Sequence, residues 1–507
     1  MLNPKVYDHA VKSIRLIETH ISWVVLTGDF AYKIKKPVNF GFLDFSTLTK
    51  RRLCCEQELR LNRRLAASVY LDVVSITGTP ENPVISAKGD AFEYAVKMIE
   101  FPQSAQFDHM LAAGHLDVTH MDAIARTIAE FHQTIPVSDN TMDYGNRESV
   151  YKSVAENFTL INKHLKMDSF IDDLNKLEQW SKAEFKRMEA VFEQRKHDGF
   201  VRECHGDMHL RNLVWLNDEP LAFDCIEFNA AFRWIDVISE IAFLVMDLQD
   251  RQQPQLANRF LNTYLEATGD YIGLSVLPFY LCYRAMVRAK VDVLRIEQEG
   301  AASDVTEQSL LEFKSYLELA TAYTKQTAPK LIIMSGVSAS GKSTVSQKLL
   351  DVTGAIRIRS DIERKRLFNI LLSDHAATGI DAGIYTGQAS QQTYARLIEL
   401  AEAVINSGYS VIVDAAFLKH LQRERFSMLA RRLGVPYIIV EVTASDEILR
   451  QRISERKHDV SDADLSVLEH QLANRQPLQE DEIGASISVN TAEYFDVNAI
   501  IDKINAS

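Results

Sequence analysis

The sequence predicts two domains of different fold class, an α+β domain followed by an α/β domain. The first part opens with short runs rich in β-branched and aromatic residues and becomes mostly helical beyond Gln103, which indicates a small sheet and a helical lobe. The second part alternates apolar strands with helices, which favours βαβ units and a parallel sheet. The segment Thr324–Pro329 separates the two patterns. We therefore predict one domain at 1–326, with a small lobe at 1–100 and a helical lobe at 101–326, and a second at 327–507.

Composition and charge are those of a globular protein. Of the 507 residues, 46% are hydrophobic and 25% are charged, which excludes a mainly disordered chain. No apolar run approaches the roughly 20 residues that span a bilayer, and the N-terminus lacks the apolar core of a secretory signal. The five cysteines include no CxxC pair and are expected to be reduced. A net charge of −13 disfavours nucleic acid and anionic membranes, so we expect a cytoplasmic protein without these partners, and no protein partner is implied.

Three strand-like runs open the first domain, SIRLIETH, SWVVLTG and FAYKIKKPV. Gly28 and Asp29 lie between the second and third runs and indicate a tight hairpin turn. Helical periodicity covers Ser46–Ala67, and two further strand-like runs, PVISAK and FEYAVKMIEF, follow. Beyond them a helical region is interrupted by one loop-rich segment that contains HGDMHLRN. A small sheet followed by such a lobe is the outline of a bilobal kinase-like fold.

The loop-rich segment carries Asp207 and Asn212, and Asp224 follows at the end of the apolar run LAF. Phosphoryl transfer needs metal ions on the phosphates and a carboxylate that accepts the proton of the substrate hydroxyl. Asp207 suits that catalytic base, and Asn212 and Asp224 suit Mg²⁺ ligation through oxygen. A chance match with Asp207 as a helix cap is the alternative. The order of these elements, with a lysine and a glutamate upstream, favours the catalytic interpretation.

Upstream residues complete a predicted nucleotide site. Lys33 and Lys35 lie on one face of the third strand because strand side chains alternate. Either could reach the α/β-phosphates of ATP, and we assign this role to Lys33. Glu58, on the next helix, is its predicted ion-pair partner. Met98 and Glu100, in the run MIEF, are expected at the hinge between the lobes, beside the adenine.

These residues resemble the motifs of the aminoglycoside phosphotransferase family, which shares its fold with choline and protein kinases. The resemblance extends over roughly residues 1–325 and implies an ATP- and Mg²⁺-dependent kinase that phosphorylates a hydroxyl group of a small molecule. It implies Asp207 as the base, Asn212 and Asp224 at Mg²⁺, and Lys33 with Glu58 at the phosphates. Further segments, such as FDCIEFN and AFLVMDL, resemble a recurrent two-domain bacterial arrangement.

Two positions depart from the family pattern. The turn between the first two strands has no glycine, so that Thr19, His20 or Ser22 would have to contact the phosphates. Arg211 stands where the family often has a small residue. Glu227 and Asp236 either line the substrate cavity or serve only the structure of the loop and helix.

The second domain opens with a phosphate-binding loop. Residues Gly336–Ser343 fit the pattern GxxxxGK[ST] between an apolar strand and a helical stretch, the context that this motif requires. Its backbone N–H groups and the helix N-terminus would bind the phosphates, with Lys342 at the β/γ-phosphates and Ser343 at Mg²⁺. The predicted nucleotide-binding residues are Gly336, Ser338, Ala339, Ser340, Gly341, Lys342, Ser343 and Thr344.

Charged residues downstream suggest the rest of this site. Asp414 ends the apolar strand VIVD and suits a Walker B ligand of Mg²⁺, or else a cap after the strand. The run Arg357–Arg366, RIRSDIERKR, predicts an anion-binding pocket, with a solvated helix face as the alternative. Asp361 within it is the candidate base for a substrate hydroxyl. Arg452 and Arg456 share a helix face and suit a lid over the transferring phosphate, which Arg425 would help to position.

This second part resembles the P-loop kinases grouped with zeta toxins, gluconate kinase and the polynucleotide 5′-kinases. SDIERKR, VIVDAAF and the arginines of the lid carry the resemblance, which implies ATP-dependent phosphorylation of a hydroxyl. We therefore predict a bifunctional phosphotransferase with two Mg-ATP sites. The alternatives are an ATP-sensing regulator in which one domain gates the other, a nucleic-acid 5′-end kinase, and a toxin that acts on a nucleotide-sugar.

Overall fold

The computed structural model of the chain describes residues 1–506 except 42, 86–87, 140, 166, 300–303, 372–385 and 456–463. These residues form two compact units, Met1–Arg251 with Phe279–Tyr323, and Gln252–Pro278 with Thr324–Ser507. The units differ from the predicted ranges 1–326 and 327–507 mainly in Gln252–Pro278, which precedes the predicted boundary yet packs within the second unit. Among the described helices, none combines the length and the apolar character needed to span a bilayer.

The first unit contains a six-stranded antiparallel sheet. Its strands are β1 (Arg15–Glu18), β2 (Ser22–Leu26), β3 (Phe30–Lys35), β4 (Tyr70–Gly78), β5 (Pro83–Ile85) and β6 (Glu93–Ile99). They follow the spatial order β1-β2-β3-β6-β4-β5. Lys33 pairs with Val24 of β2 and Val96 of β6, so it lies in the interior of the sheet. Gly28 has φ +97°, the left-handed conformation that the tight turn before β3 requires.

Helices make up most of the remaining first unit. They are α1 (Leu48–Ala66), α2 (Phe107–Ala112), α3 (Val118–Thr134), α4 (Arg147–His164), α5 (Ile171–His197), α6 (Val237–Asp250), α8 (Leu277–Glu299, in this unit from Phe279 onward) and α9 (Asp304–Tyr323), while α7 (Pro254–Thr268) belongs to the second unit. The Thr47 hydroxyl accepts a hydrogen bond from Lys50 N–H and so caps α1. These bounds confirm the helix predicted from Ser46 and the helical region beyond Gln103.

Two short antiparallel ladders hold the loop-rich segment of the first unit. They consist of β7 (Val201–Glu203) with β10 (Trp234–Asp236), and β8 (Leu213–Leu216) with β9 (Glu219–Ala222). The segment between β7 and β8 carries HGDMHLRN, and Asp224 follows β9 by two residues. The two ladders thus bring the predicted catalytic loop and the predicted metal ligand to the same part of the unit.

The second unit is built on a parallel sheet, as the alternation predicted. Its strands are β11 (Leu331–Ser335), β12 (Ile356–Arg359), β13 (Val411–Asp414), β14 (Tyr437–Thr443) and β15 (Ser486–Asn490). Every pairing is parallel, in the order β12-β13-β11-β14-β15. All five residues of the central strand β11 are buried, which agrees with a strand covered on both faces. Asp414 is the last residue of β13, and Lys342 ends the loop after the adjacent strand β11. Both residues therefore lie at the carboxyl ends of the strands, where ligands bind in such sheets.

Helices cover this sheet. They are α10 (Lys342–Thr353), α11 (Ser360–Leu367), α12 (Gly387–Asn406), α13 (His420–Leu433), α14 (Asp446–Glu455), α15 (Leu465–Asn474), α16 (Glu480–Ile483) and α17 (Val497–Ala506), together with α7. Leu349 of α10 and Ile500 of α17 join a cluster of buried apolar residues with Ile332, Ile412 and Val440 of the sheet. This packing fixes α10, and with it the loop that precedes it.

Candidate functional site

The backbone of the loop after β7 is held by buried charged side chains. Glu240 of α6 accepts hydrogen bonds from the N–H groups of His205 and Gly206, at 2.6 and 2.7 Å. Arg284 of α8 donates to Gly206 O at 3.1 Å. Gly206 has φ +91°, and a Cβ there would lie 2.6 Å from Phe232 O, so only glycine fits. The residue before Asp207 is therefore fixed in position from both sides.

Asp207 and Asn212, predicted as base and metal ligand, lie in contact. Asn212 Nδ2 donates to Asp207 Oδ2 at 2.9 Å and to Asp207 O at 3.0 Å. Both amide protons are used in this way, so Asn212 Oδ1 is the atom left to serve as a ligand. His209 Nε2 lies 3.3 Å from the Asp207 carboxylate. Burial alone would raise the pKa of Asp207, but His209 and Arg288 outweigh it and hold that pKa below its usual range, so the carboxylate is ionised at neutral pH.

The predicted pair of Lys33 and Glu58 is present, with Nζ and Oε1 at 2.8 Å. Lys33 also forms an ion pair with Asp224. The three side chains come from β3, α1 and the loop after β9, so the fold joins residues 191 positions apart in the chain. Asp224 has φ +63°, an unusual conformation for a non-glycine residue that tends to occur at functional sites. Its side chain remains 46% exposed.

Lys35, the alternative lysine, lies deeper. It forms buried ion pairs with Glu58 and Glu227 and is fully inaccessible to solvent. Burial alone would lower the pKa of both lysines, but the carboxylates outweigh it and raise both pKa values above the usual range. Burial would raise the pKa of Glu58, yet the two lysines lower it to about 2. Burial raises the pKa of Glu227, so this carboxylate is the least favourably ionised member of the cluster.

The charges of this cluster fit a divalent cation. Lys33 and Lys35 face the carboxylates of Glu58, Asp224 and Glu227, which leaves one excess negative charge when all five groups are ionised. Asp224 is the partly exposed carboxylate, and Asn212 offers an amide oxygen. Mg²⁺ prefers oxygen ligands of this kind, so the residues present suit the predicted metal.

Other predicted residues of the first unit have structural contacts. Glu100 accepts a hydrogen bond from Gly28 N–H at 2.7 Å, and Met98 packs on the apolar cluster that includes Tyr70 and Val96. Thr19 Oγ1 accepts from Ser22 N–H at 3.0 Å and closes its own turn. The remaining residues are distributed as follows: Ser22 is buried, His20 and Arg211 are exposed, and Asp236 pairs with buried Arg195 at 2.7 Å.

These contacts of Asp236 favour a structural role over a place in the substrate cavity. It also accepts from Ile238 N–H at the start of α6, so both of its oxygens are engaged away from any open surface. Glu227 is buried in the lysine cluster and contacts Lys35. The structure thus separates two acidic residues that the sequence left equivalent.

The loop of the second unit has the conformation of a phosphate-binding loop. Gly336, Ala339 and Gly341 have φ values of +153°, +62° and +90°, and α10 begins at Lys342. The first N–H groups of a helix have no intrahelical acceptor, so Lys342, Ser343 and Thr344 present their amides at the helix start. Such amides and the helix dipole favour an anion.

Side chains around the loop match the predicted metal site in part. Lys342 Nζ lies 2.8 Å from Val337 O. Asp414 accepts from Ser346 Oγ at 3.1 Å, and Ser346 lies one turn after Ser343 on α10. Ser343 itself is exposed. A carboxylate next to a hydroxyl at the start of α10 supplies oxygen donors of the type that Mg²⁺ accepts.

The run of cations is largely matched by carboxylates of the same unit. Glu266 of α7 lies 3.2 Å from both Arg357 and Arg359, and Arg366 pairs with Glu363. Asp361, the candidate base, lies 3.8 Å from Arg364. Carboxylates of the same unit therefore offset most of the positive charge on which the predicted anion pocket depends.

Arg452 contacts the phosphate-binding loop and Thr491. Its guanidinium donates to Ala339 O at 3.2 Å and to Thr491 Oγ1 and O at 2.9 and 2.7 Å. Arg456 lies outside the described residues. Arg425 is exposed, whereas Arg423 is the buried arginine of α13 and pairs with Glu482 at 2.7 Å. Arg452 therefore bonds the backbone of the loop and Thr491, and its role at the transferring phosphate stays a prediction.

Several residues of both sites carried no sequence signal that we used. Glu240 and Asp247 lie seven residues apart within the apolar helix α6, and Asp247 accepts from Leu210 N–H at 2.8 Å. Acidic residues spaced by two turns in an otherwise buried helix would have been a usable signal, because buried charges need partners. No comparable signal marks Glu266 or Thr491, whose partners lie far away in sequence, or Gln471, which accepts from Ser338 N–H of the loop at 2.7 Å.

Comparisons with known proteins agree with this division. A family model described as an AAA domain matches residues 331–478. An uncharacterised protein of Mycobacterium tuberculosis (strain ATCC 25618 / H37Rv) is 29% identical over 449 residues, which cover 88% of this chain and 87% of that protein. A match of that length extends over both units.

The solved structures that resemble this chain fall into two groups, which cover about 35% or about 60% of it. A sugar kinase from Janibacter sp. HTCC2649 is 22% identical and covers 35% of this chain and 93% of its own, with a TM-score of 0.28. Amicoumacin kinase is 14% identical and covers 60% of this chain and 88% of its own, with a TM-score of 0.39. A choline kinase from Cryptosporidium parvum Iowa II is 11% identical and covers 61% and 89%, with a TM-score of 0.38.

The sheet order, the catalytic-loop geometry and the family match lead to one architecture. The chain joins a bilobal kinase-like α+β unit to an α/β P-loop unit with a parallel sheet.

Proposed function

We propose that the protein is a bifunctional ATP-dependent phosphotransferase with one Mg-ATP site in each unit. The observation that carries the proposal is the ion pairing of Lys33 with both Glu58 and Asp224, beside a loop that holds Asp207 against Asn212. A lysine for the phosphates, oxygen ligands for Mg²⁺ and a carboxylate base are the groups that phosphoryl transfer needs for positioning and charge neutralisation. The acceptors are hydroxyl groups of small molecules, as the family resemblance implies.

In the first unit, each polar group has one task. Lys33 would bind the α/β-phosphates, and Glu58 would keep the Lys33 ammonium in place and charged. Asp224 and Asn212 Oδ1 would hold Mg²⁺, which neutralises charge that develops on the phosphates. Asp207 is ionised and would orient the acceptor hydroxyl and receive its proton. The buried pairs of Glu240 and Arg284 with the loop backbone support this arrangement.

In the second unit, the amides of Gly341–Thr344 and the Lys342 ammonium would bind the phosphates of a second ATP. Asp414 and Ser343 would hold its Mg²⁺. Asp361 is the second residue of α11, directly after β12, at the sheet edge where ligands of parallel sheets bind. It would receive the proton of the acceptor hydroxyl. Arg364 lies 3.8 Å away.

The nucleic-acid alternative loses support from these contacts. It depended on the cations of Arg357–Arg366, and Glu266, Asp361 and Glu363 lie against four of them. A net charge of −13 also opposes binding to a polyanion. Steep loss of oligonucleotide binding with salt, the signature of phosphate contacts, is therefore not expected.

The test is transfer of label from γ-labelled ATP into the small-molecule fraction of a cell extract. We expect wild type to label acceptors, Asp207→Asn to lose one set of products, and Asp361→Asn to lose another. Both variants should still bind ATP, because neither residue is assigned to the nucleotide. An ATP-sensing regulator would bind ATP equally well but would label no acceptor with any of the three proteins.

A further inference from the structure

Three carbonyl groups of the phosphate-binding loop accept hydrogen bonds from side chains, and two of the three donors lie outside the loop. Lys342 Nζ donates to Val337 O at 2.8 Å, and Arg452 donates to Ala339 O at 3.2 Å. Thr491 Oγ1 donates to Ser340 O at 2.7 Å. The last two donors come from α14 and from the residue after β15, and neither belongs to the P-loop motif.

The direction of each carbonyl determines the direction of the next N–H group. In a planar trans peptide the C=O and N–H bonds point to opposite sides. When Thr491 holds Ser340 O, the N–H of Gly341 must therefore point away from Thr491. Gly341 is the last residue before α10, and its amide adjoins the amides of the helix start. A peptide turned the other way would place a carbonyl oxygen among those amides, where it would repel a phosphate.

Thr491 is itself rigidly placed. Its N–H donates to Thr443 O at 2.9 Å, and its carbonyl accepts from Arg452 Nη2 at 2.7 Å. Its hydroxyl oxygen accepts from Arg452 Nη1 at 2.9 Å while its proton is directed to Ser340 O, the nearer of its two possible acceptors. A Cβ on Gly341 would lie 3.1 Å from the Thr491 side chain. Thr491 thus joins the ends of β14 and β15 to the loop.

We propose that Thr491, held by Arg452, is a positioning residue that keeps the Ser340–Gly341 peptide turned so that Gly341 N–H faces the phosphates. The inference rests on the proposed function of the second unit and adds a residue outside the part matched by the family model, which ends at 478. It also gives Arg452 a role that its contacts support. Thr491 acts through the loop and not by contact with the nucleotide.

A matched pair of substitutions isolates the hydroxyl. Thr491→Val keeps the shape of the side chain but removes the group that bonds Ser340 O and Arg452, whereas Thr491→Ser keeps that group. Loss of a part-buried hydrogen bond of this type should weaken binding by up to about tenfold. We expect Thr491→Val to raise the dissociation constant for Mg-ATP about tenfold and Thr491→Ser to change it less than about twofold.

The experiment measures binding of Mg-ATP and of inorganic tripolyphosphate to the full chain by titration calorimetry, with Lys342→Ala defining the site of the second unit. Because the defect lies in the phosphate loop, Thr491→Val should lose the same factor for both ligands. The melting temperature without ligand should stay close to that of wild type, whereas the increase caused by tripolyphosphate should become smaller.

The outcomes separate this inference from the proposed function. If wild type shows no binding that depends on Lys342, the proposed function of the second unit is wrong. If wild type binds and Thr491→Val binds equally well, the positioning role alone is wrong. It is also wrong if Thr491→Val weakens ATP but not tripolyphosphate, since Thr491 would then act on the nucleoside, or if Thr491→Ser fails to restore binding.

Discussion

The side-chain oxygen of Asn262 accepts a hydrogen bond from the backbone N–H of Arg357 at 2.8 Å. The amide nitrogen of Asn262 donates to Ala355 O at 3.1 Å, so one side chain bonds the edge strand β12 as a neighbouring strand would. Asn262 lies on α7, which precedes the predicted domain boundary by about sixty residues. The P-loop unit is therefore completed by a helix that the sequence assigned to the other domain.

The first prediction concerns this edge. Asn262→Leu keeps the volume but leaves a buried N–H and a buried C=O without partners, which costs about 3 kcal/mol of unfolding free energy in the second unit. Hydrogen exchange measured by mass spectrometry over 355–360 should become faster. Asn498→Leu, at an exposed position of α17, is the control and should leave the exchange unchanged. Equal exchange in both variants would show that α7 does not hold β12.

The second prediction separates the two lysines of β3. Lys33→Met should reduce transfer by the first unit by about a hundredfold, because a cation beside the phosphates stabilises the transition state, with a small loss of stability. Lys35→Met leaves Glu227 and Glu58 in the interior and should cost about 3–5 kcal/mol. All four tryptophans lie in the first unit, so urea unfolding followed by fluorescence reports this unit alone.

The cost of Lys35→Met should depend on pH. The pKa of Glu227 is already raised by burial, and loss of Lys35 raises it further. A carboxyl whose pKa is raised in the folded state stabilises the fold at low pH and loses that contribution as pH rises. The difference in stability from wild type should therefore shrink when the pH falls from about 8 to about 5. An equal difference at both pH values would contradict the assignment of Glu227 as the stranded charge.

The third prediction concerns Asp292 of α8. Among the described residues, none is a hydrogen-bond partner of either of its buried carboxylate oxygens, and Arg295 lies 3.8 Å away. Burial raises its pKa to about 7, far above the value in an unfolded chain. The folded state then binds the proton more tightly, so stability should fall as pH rises from about 4 to about 7 and level off above it.

Asp292→Asn should remove this slope. At about 1.4 kcal/mol per pKa unit, the unfolding free energy of wild type should fall by as much as about 4 kcal/mol over this pH range. The variant should therefore be more stable than wild type at about pH 8. Tryptophan fluorescence during urea unfolding measures it. Asp172→Asn, at an exposed position of α5, should retain the wild-type slope, and a retained slope in Asp292→Asn would identify another group as its source.

The fourth prediction concerns the metal of the second unit. Asp414 accepts from Ser346 Oγ and is the buried carboxylate beside the loop. Asp414→Asn removes the charge that Mg²⁺ would contact and should raise the Mg²⁺ concentration needed for half-maximal transfer by at least about tenfold. Ser346→Ala removes only one hydrogen bond to Asp414 and should change it less than about threefold. Identical Mg²⁺ dependence in wild type and Asp414→Asn would place the metal elsewhere.

Much of the first site could be predicted because its residues lie in short motifs or in a strand and a helix whose faces are periodic. Lys33, Glu58, Asp207, Asn212 and Asp224 are all brought together by the fold, although their roles remain predictions. The sequence could not separate Glu227 from Asp236, because both are acidic residues outside the recognised motifs. Only three-dimensional packing shows that one faces Lys35 and the other faces Arg195.

The second site was predicted less completely. The P-loop is a contiguous motif, and its position between β11 and α10 follows from local pattern. Arg452 has the right spacing for a lid but bonds Ala339 and Thr491, because the ends of two strands bring these acceptors near it. Strand β15 and the placement of α7 were missed because they depend on β14 and β12, which lie far away in sequence. Strand β4 was also missed, although it pairs with β5 and β6 directly after it in the chain.

The most direct test of the account is the number of Mg-nucleotide molecules bound per chain. Equilibrium dialysis of the full chain with a non-hydrolysable ATP analogue and Mg²⁺ should give two for wild type. It should give one for Lys33→Met, one for Lys342→Ala, and none when both substitutions are combined. A wild-type chain that binds only one nucleotide, or a double variant that still binds, would contradict two separate phosphotransferase sites.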